Sequence, residues 1–264
     1  MLTKALENKY LLRIQDALQA ANAAVGGFLP GSFQVHDHGG RNVVTEVDRA
    51  LSQVLRKALL RPGEGWLSEE DPDDRTRLSK EVVWIVDPLD GTREFVDGIP
   101  EWCISVGLTV AGAAVAGGIF NPATGEQFVG GLHSGVTRNG RRTQPTQKTR
   151  LACAQVLASR QEYSRGEWTK FEGKEFSIRA TGSIAYKLAL VSAGLADATW
   201  TLFPKHEWDV AAGVALANSA GCRVCCTQNA ELLFNQNRPL LPGLVASSSG
   251  IWEQVLQLVS QCGA

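Results

Sequence analysis

The chain is predicted to be an α+β protein made of two joined halves, and three patterns carry that reading. The first is a pair of amphipathic helical stretches near the N-terminus. The second is a continuous apolar run at residues 82–86, followed by three more strand-like segments separated by turn residues. The third is a change of rhythm after about Leu151, where short apolar segments alternate with helical ones. The length agrees. At roughly 150 residues per domain, 264 residues are long for one simple core and short for two independent ones.

In residues 6–28, Leu11, Ile14, Leu18 and Ala21 recur near the helical period, and Pro30 with Gly31 ends the pattern. A Gly/His loop with His36 and His38 follows, then Val43 and Val44. Thr45 fits a helix N-cap with Asp48 three residues on. Val47, Leu51, Val54, Leu55 and Leu59 form the apolar stripe of this second helix. Arg61, Pro62 and Gly63 mark a turn, residues 66–68 a short strand, and residues 71–80 a polar loop. The run 82–86 shows no polar alternation, which predicts a strand buried on both faces. Strands at 104–110, 115–120 and 127–131 complete a mostly antiparallel sheet within residues 1–145. Residues 121–125 read as a hairpin loop, and Asn139-Gly140 as a tight turn. Within residues 146–264 the order is strand 154–159, helix 183–194, strand 198–202, helix 209–220, a strand near 222–226 and a helix 250–259. The polar stretch 141–150 is the expected boundary, with the active site between the halves.

Composition narrows the function. Hydrophobic residues make up 44% and charged residues 20%, which permits a sizeable core without disordered tracts. The net charge of −1 has no strong field to attract a nucleic-acid polymer. The densest basic cluster, Arg138, Arg141 and Arg142, lacks interleaved aromatics. No run reaches the roughly 18 apolar residues of a membrane span; residues 184–200 are interrupted by Lys187, Gly194 and Asp197. The first residues lead into a charged amphipathic stretch, so a soluble, cytoplasmic protein is expected. Six cysteines are expected to be reduced there. Cys222, Cys225 and Cys226 sit in a strand-like stretch without a second ligand pair, so a strand is preferred to a zinc site.

The chemistry is expected from carboxylates at the ends of elements. Glu69 and Glu70 end one strand, Asp87 and Asp90 end another, Asp209 starts a helix, and Asp48 lies in the first turn of another. Without histidine or thiolate partners, such a set suits a hard, oxygen-preferring cation, and Mg²⁺ is the natural choice. Pro88 stiffens the turn between Asp87 and Asp90, and the Leu89 carbonyl is a further candidate ligand. Gly91 allows close backbone approach, so the Gly91 and Thr92 amides could cradle a phosphate if a helix begins there. Taken one at a time, these residues read equally well as caps and turns.

The order of motifs resembles the inositol monophosphatase superfamily of Mg²⁺-dependent, Li⁺-sensitive phosphatases. Residues 84–92 read W-I-V-D-P-L-D-G-T and residues 208–213 read W-D-V-A-A-G, matching two of its blocks. Ser68, Glu69 and Glu70 match its G-E-E-S element in part. Residues 44–48, Asn139-Gly140-Arg141 and Gly182-Ser183 add support, so the likeness spans the chain. It implies a layered αβαβα sandwich of the inositol monophosphatase and fructose-1,6-bisphosphatase type. It implies that Glu69, Asp87, Asp90, Asp209 and the Leu89 carbonyl hold two or three Mg²⁺ ions, with Li⁺ as an inhibitor. Gly91, Thr92, Gly182 and Ser183 would hold substrate. Asp48 and Thr92 would pair to orient the attacking water, with Glu70 beside them. Relatives are commonly dimers, so a homodimer acting on a small phosphate ester is expected.

Which ester is cut rests on neighbouring residues. Inositol monophosphatases commonly carry an acidic residue seven positions before the helix Asp, where this chain has Leu202. Thr92 to Phe95 (T-R-E-F) and Pro204 to Asp209 (P-K-H-E-W-D) resemble the bacterial 3′(2′),5′-bisphosphate nucleotidases, and Lys205 is placed to meet a second phosphate. Gly98 to Glu101 is closer to the simple inositol phosphatases. The first expectation is therefore hydrolysis of 3′-phosphoadenosine 5′-phosphate by metal-activated water. Inositol monophosphatase activity comes next, then histidinol-phosphatase or fructose-1,6-bisphosphatase activity. A non-catalytic regulatory or RNA-associated relative and a structural calcium module are the readings from other classes.

Overall fold

The computed structural model describes residues 2–26 and 46–262. Val43, Val44, the Thr45 cap and the His36/His38 loop lie outside them. Helix α1 (Lys4–Val25) is capped by Thr3, whose hydroxyl accepts from the Leu6 amide at 3.3 Å. Helix α2 (Glu46–Leu59) lies beside it. Both bury their apolar stripes on one face of a seven-stranded sheet. Its strands follow chain order: β1 (Gly65–Ser68), β2 (Val82–Asp90), β3 (Cys103–Val110), β4 (Ala113–Asn121), β5 (Glu126–Gly131), β6 (Gly135–Arg138) and β7 (Arg141–Arg142). Only the β1–β2 pair is parallel.

Strand β2 is buried on both faces, as its apolar run predicts. Trp84 and Val86 pack among α1 and α2, while Val83 and Ile85 enter the core on the other side. The Trp84 indole N–H donates to Glu64 at 2.9 Å, and the Arg13 guanidinium lies 4.9 Å from its ring, fixing α1 to the sheet. The Asn139-Gly140 turn has φ of 49° and 75°, the double left-handed geometry that a two-residue hairpin of this hand needs.

The second half supplies β8 (Gln155–Ser159), α4 (Arg160–Ser164), β9 (Ser177–Thr181), α5 (Ile184–Ser192), β10 (Ala198–Thr201), β11 (Lys205–His206), α6 (Glu207–Ala220), β12 (Arg223–Cys226), β13 (Leu240–Leu241), β14 (Leu244–Ser247) and α7 (Trp252–Cys262). A five-stranded sheet runs β12-β14-β10-β8-β9, and β14 is antiparallel to both its neighbours. Helices α5 and α6 lie between the two sheets, and α7 covers the outer face. The layers are therefore αβαβα. Two strands of this sheet escape the sequence reading. Strand β9 is an edge strand with exposed alternate residues, and β14 is only four residues long after Pro242-Gly243. The loop expected at 71–80 also differs. It contains a short helical turn, Thr76–Ser79, and Arg77 is buried, bonded to Asp73, Asn235 and the Gln236 carbonyl.

Close approach of α6 to the first sheet depends on Gly117. A Cβ there would meet the Ala212 carbonyl oxygen at 2.5 Å and its Cα at 3.0 Å, both of them backbone atoms. Gly117→Ala should therefore cost about 1–3 kcal/mol, the usual penalty of overpacking. Gly26→Ala, where the nearest atom lies at 3.5 Å, should change stability by less than about 0.5 kcal/mol. Urea denaturation of the two variants checks the contrast.

Candidate active site

The end of β2 builds the centre of the site. Pairing with β3 shifts register between Asp87 and Asp90, so Pro88 and Leu89 form a bulge that turns both acids the same way along the cleft. The Asp87 carboxylate accepts from the Leu89 amide at 3.0 Å. Gly91 has φ +95°, and a Cβ there would meet Glu101 and Trp102 backbone atoms at 3.1 Å. That conformation caps α3 (Thr92–Val96), and both Gly91 and Thr92 line the cavity. The Thr92 hydroxyl donates to the Leu89 carbonyl at 3.1 Å, which leaves that oxygen a second lone pair.

Three chain segments bring the carboxylates together. Parallel pairing sets Ser68 beside Val86, so Glu69 emerges next to Asp87. Helix α6 delivers Asp209, whose carboxylate also accepts from the His206 amide at 2.8 Å. One oxygen each from Glu69, Asp87 and Asp209 lies within 4.8 Å of the others. Asp90 stands beside this group and is held by α5: its Oδ2 accepts from Ser183 Oγ at 2.6 Å and the Ala185 amide at 2.7 Å. Ser183 therefore orients Asp90, and it also lines the cavity where a substrate contact is expected of it.

Crowding shows in the titration of these groups. Desolvation, then repulsion from Asp209 and Asp90, pushes Glu69 up to about 8. Desolvation and Asp90 push Asp209 up to about 7. Burial and the same neighbours raise Asp87 well above the carboxylate range. Asp90 is raised by burial, against the hydrogen bonds from Ser183 and Ala185. A divalent cation with oxygen preference fits such a cluster, since it would relieve the repulsion that the fold imposes. Glu69, Asp87, Asp90 and Asp209 would hold it.

The cavity beside these acids has a volume of about 260 Å³. Arg93, Gly182 and Lys205 line it, as do Lys187, Glu162 and Thr201, which the sequence reading passes over as site residues. Only one signal pointed to Lys187: a charge inside an otherwise apolar helix. Asp48 is buried and Glu70 half-buried; neither lines this cavity, though each adds to the repulsion felt by Glu69. Leu202 also lies outside its wall. Buried Glu207 accepts from the Asn235 and Gln236 amides at 2.7 and 2.8 Å, and so braces the start of the helix that carries Asp209. The cysteine cluster divides among three cores, Cys222, Cys225 and Cys226 each joining a different one. Burial raises the Cys222 and Cys225 thiols to about 12 and about 11, and Cys225 and Cys226 lie in strand β12.

Glu69 and Asp209 bind protons more tightly in the folded protein than in the unfolded chain. Their contribution to stability is therefore present at acid pH and lost as pH rises from about 4 toward their folded values of about 7 and about 8. In EDTA, the thermal midpoint should be lower at pH 8 than at pH 6. Added Mg²⁺ should raise it more at pH 8. Equal midpoints at both pH values, with and without Mg²⁺, would contradict the crowding.

Comparison with known proteins agrees with this geometry. The model of the inositol monophosphatase family matches residues 8–263. An inositol-1-monophosphatase of Rhizobium meliloti (strain 1021) is 34% identical over 199 residues, covering 72% of this chain and 74% of that protein. A Nus factor SuhB of Pseudomonas aeruginosa is 30% identical over 202 residues, covering 72% and 74%. Among solved structures, the IMPase of Thermotoga maritima superposes with a TM-score of 0.80 at 25% identity, covering 98% of each chain. With its carboxylate cluster at the junction of β1, β2 and α6, the chain belongs to the inositol monophosphatase family and is, with it, a phosphoric monoester hydrolase.

Proposed function

We propose that the protein is a Mg²⁺-dependent phosphomonoesterase whose first substrate is 3′-phosphoadenosine 5′-phosphate. One observation carries the substrate reading. The cavity that holds the carboxylate cluster also has Lys205 in its wall, while Leu202 lies outside it. A cation there favours a substrate with a second negative group over a neutral polyol.

In this reading Glu69, Asp87, Asp90 and Asp209 hold the ions, with the Leu89 carbonyl as a further ligand. When bound, the ions lower the pKa of a water molecule and offset charge on the leaving oxygen. The Gly91 and Thr92 amides position the phosphoryl group. Ser183 and the start of α5 fix Asp90. The family resemblance gives Asp48 and Thr92 the orienting of the attacking water, with Glu70 beside them; of the three, only Thr92 lines the cavity. Positioning and charge stabilisation supply most of phosphoryl-transfer catalysis, so no protein nucleophile is required.

A second reading comes from the names of relatives. Several are inositol monophosphatases, which makes myo-inositol 1-phosphate the runner-up. The Nus factor among them brings a transcription-associated role as a reading of another class. The chain's net charge of −1 counts against the binding of a nucleic-acid polymer.

The test is phosphate release from 3′-phosphoadenosine 5′-phosphate, myo-inositol 1-phosphate, histidinol phosphate and fructose 1,6-bisphosphate, with and without Mg²⁺ and Li⁺. The bisphosphate nucleotide should be cut fastest, only with Mg²⁺, and more slowly when Li⁺ is added. Asp90→Asn should lower its kcat at least about a hundredfold, the scale of a few kcal/mol of lost transition-state stabilisation, with an unchanged circular dichroism spectrum. No release from any of the four esters, together with a salt-dependent RNA shift, would favour the regulatory reading.

A further inference from the structure

Lys187 is a buried cation for which the catalytic assignment has no use. It is 2% exposed, on a helix whose other residues are all buried. Its ammonium donates to the Thr181 carbonyl at 3.1 Å, and among the described residues no carboxylate forms a direct ion pair with it. An ammonium has three donors, and burying one with a single neutral acceptor is costly. Yet Lys187 lies in the wall of the active cavity, in the part built from residues 159–205.

The same wall holds Lys205 and Glu162. Glu162 is buried and anchored from behind: Thr201 Oγ1 donates to one oxygen at 2.5 Å and Trp168 Nε1 to the other at 3.3 Å. Its contact with Lys205 is long, 3.8 Å. The charged groups around Lys187 are Asp90, Glu162 and Glu94, with Lys205 as the like charge. Asp90 is already held by α5 and assigned to the metal. Two lysines thus enter one cavity with donors that no short ion pair consumes, within electrostatic reach of both Glu162 and Asp90.

We propose that Lys187 and Lys205 form a subsite for a second anionic group, phosphoryl or carboxylate, carried by the alcohol portion of the substrate. This rests on the phosphomonoesterase reading and adds Lys187 as a residue that sets specificity. The incoming anion would complete the hydrogen bonding of Lys187 and replace the long Lys205–Glu162 contact. Were Lys187 only a countercharge for Asp90 and Glu94, its loss would affect all substrates alike.

Two matched pairs test this, each differing by one anionic group: 3′-phosphoadenosine 5′-phosphate against adenosine 3′-phosphate, and 3-phosphoglycerate against glycerol 3-phosphate. For the wild type, kcat/KM should favour the doubly anionic member of at least one pair, and which pair identifies phosphoryl or carboxylate. In Lys187→Met that preference should fall at least about tenfold, the scale of a hydrogen-bonded charge contact. Lys187→Arg should retain most of it, and Lys205→Met should show a partial loss. An equal fall on both members of each pair, or an unchanged preference, overturns the subsite. Calorimetric titration of adenosine 5′-monophosphate in EDTA separates this from the catalytic reading, because that probe lacks the 3′-phosphate to be cleaved. It should bind the wild type at least about tenfold more tightly than Lys187→Met. Equal affinity overturns the subsite even if the enzyme proves to be a phosphatase, and absence of turnover on every ester leaves the binding result to decide.

Discussion

Like charges brought close together repel, and the fold forces that repulsion at one point, from buried Asp87 out to Glu69 at the cavity mouth. Glu69, Asp87 and Asp209 come from three different elements, yet present oxygens within 4.8 Å of one another. Among the described residues no arginine forms an ion pair with them. Their protons are held instead, Glu69 at about 8 and Asp209 at about 7. The arrangement makes sense if a divalent cation supplies the missing positive charge. The surrounding packing serves the same end. Gly117 lets α6 lie against the sheet, Glu207 fixes where that helix begins, and the β2 bulge turns Asp87 and Asp90 into one cleft.

The second theme is asymmetry across the cavity. The end of β2 and the start of α6 carry the acids, whereas α5 and β11 bring two lysines into the same space. Ser183, at the start of α5, joins the two regions. Its hydroxyl donates to Asp90 and accepts from the Tyr186 amide, so the helix that carries Lys187 also positions Asp90, one of the acids proposed to hold the cation.

Much of the centre was legible in the sequence because its signals are local. A buried strand running into Asp87-Pro88-Leu89-Asp90-Gly91-Thr92 predicts a stiffened turn and close backbone approach at Gly91; the structure has Gly91 at φ +95° against the Glu101 and Trp102 backbone, and it makes the turn as a register shift against β3, a detail set by pairing. The stripe of α2 and the Asn139-Gly140 turn are local in the same way. Other features were not legible because they are made by distant residues. Arg77 reads as part of a polar loop until Asn235 and Gln236, some 160 residues away, enclose it. Glu162 sits in a five-residue helix with no motif around it, and its place is fixed by Thr201 and Trp168. Lys187 interrupts an apolar helix, which shows that it is unusual without showing what it faces. Strand β9 lacks an apolar run because it forms the sheet's edge.

If the folded chain holds protons where a cation would bind, ligation must displace them. Titrating Mg²⁺ into the protein at pH 7, in two buffers of different ionisation enthalpy, measures the protons released on binding. Release of about one proton or more per protein is expected at pH 7, and fewer as pH rises past the folded values of Asp209 and Glu69, because ligation requires ionised carboxylates. Mg²⁺ binding at pH 7 with no proton released would contradict it.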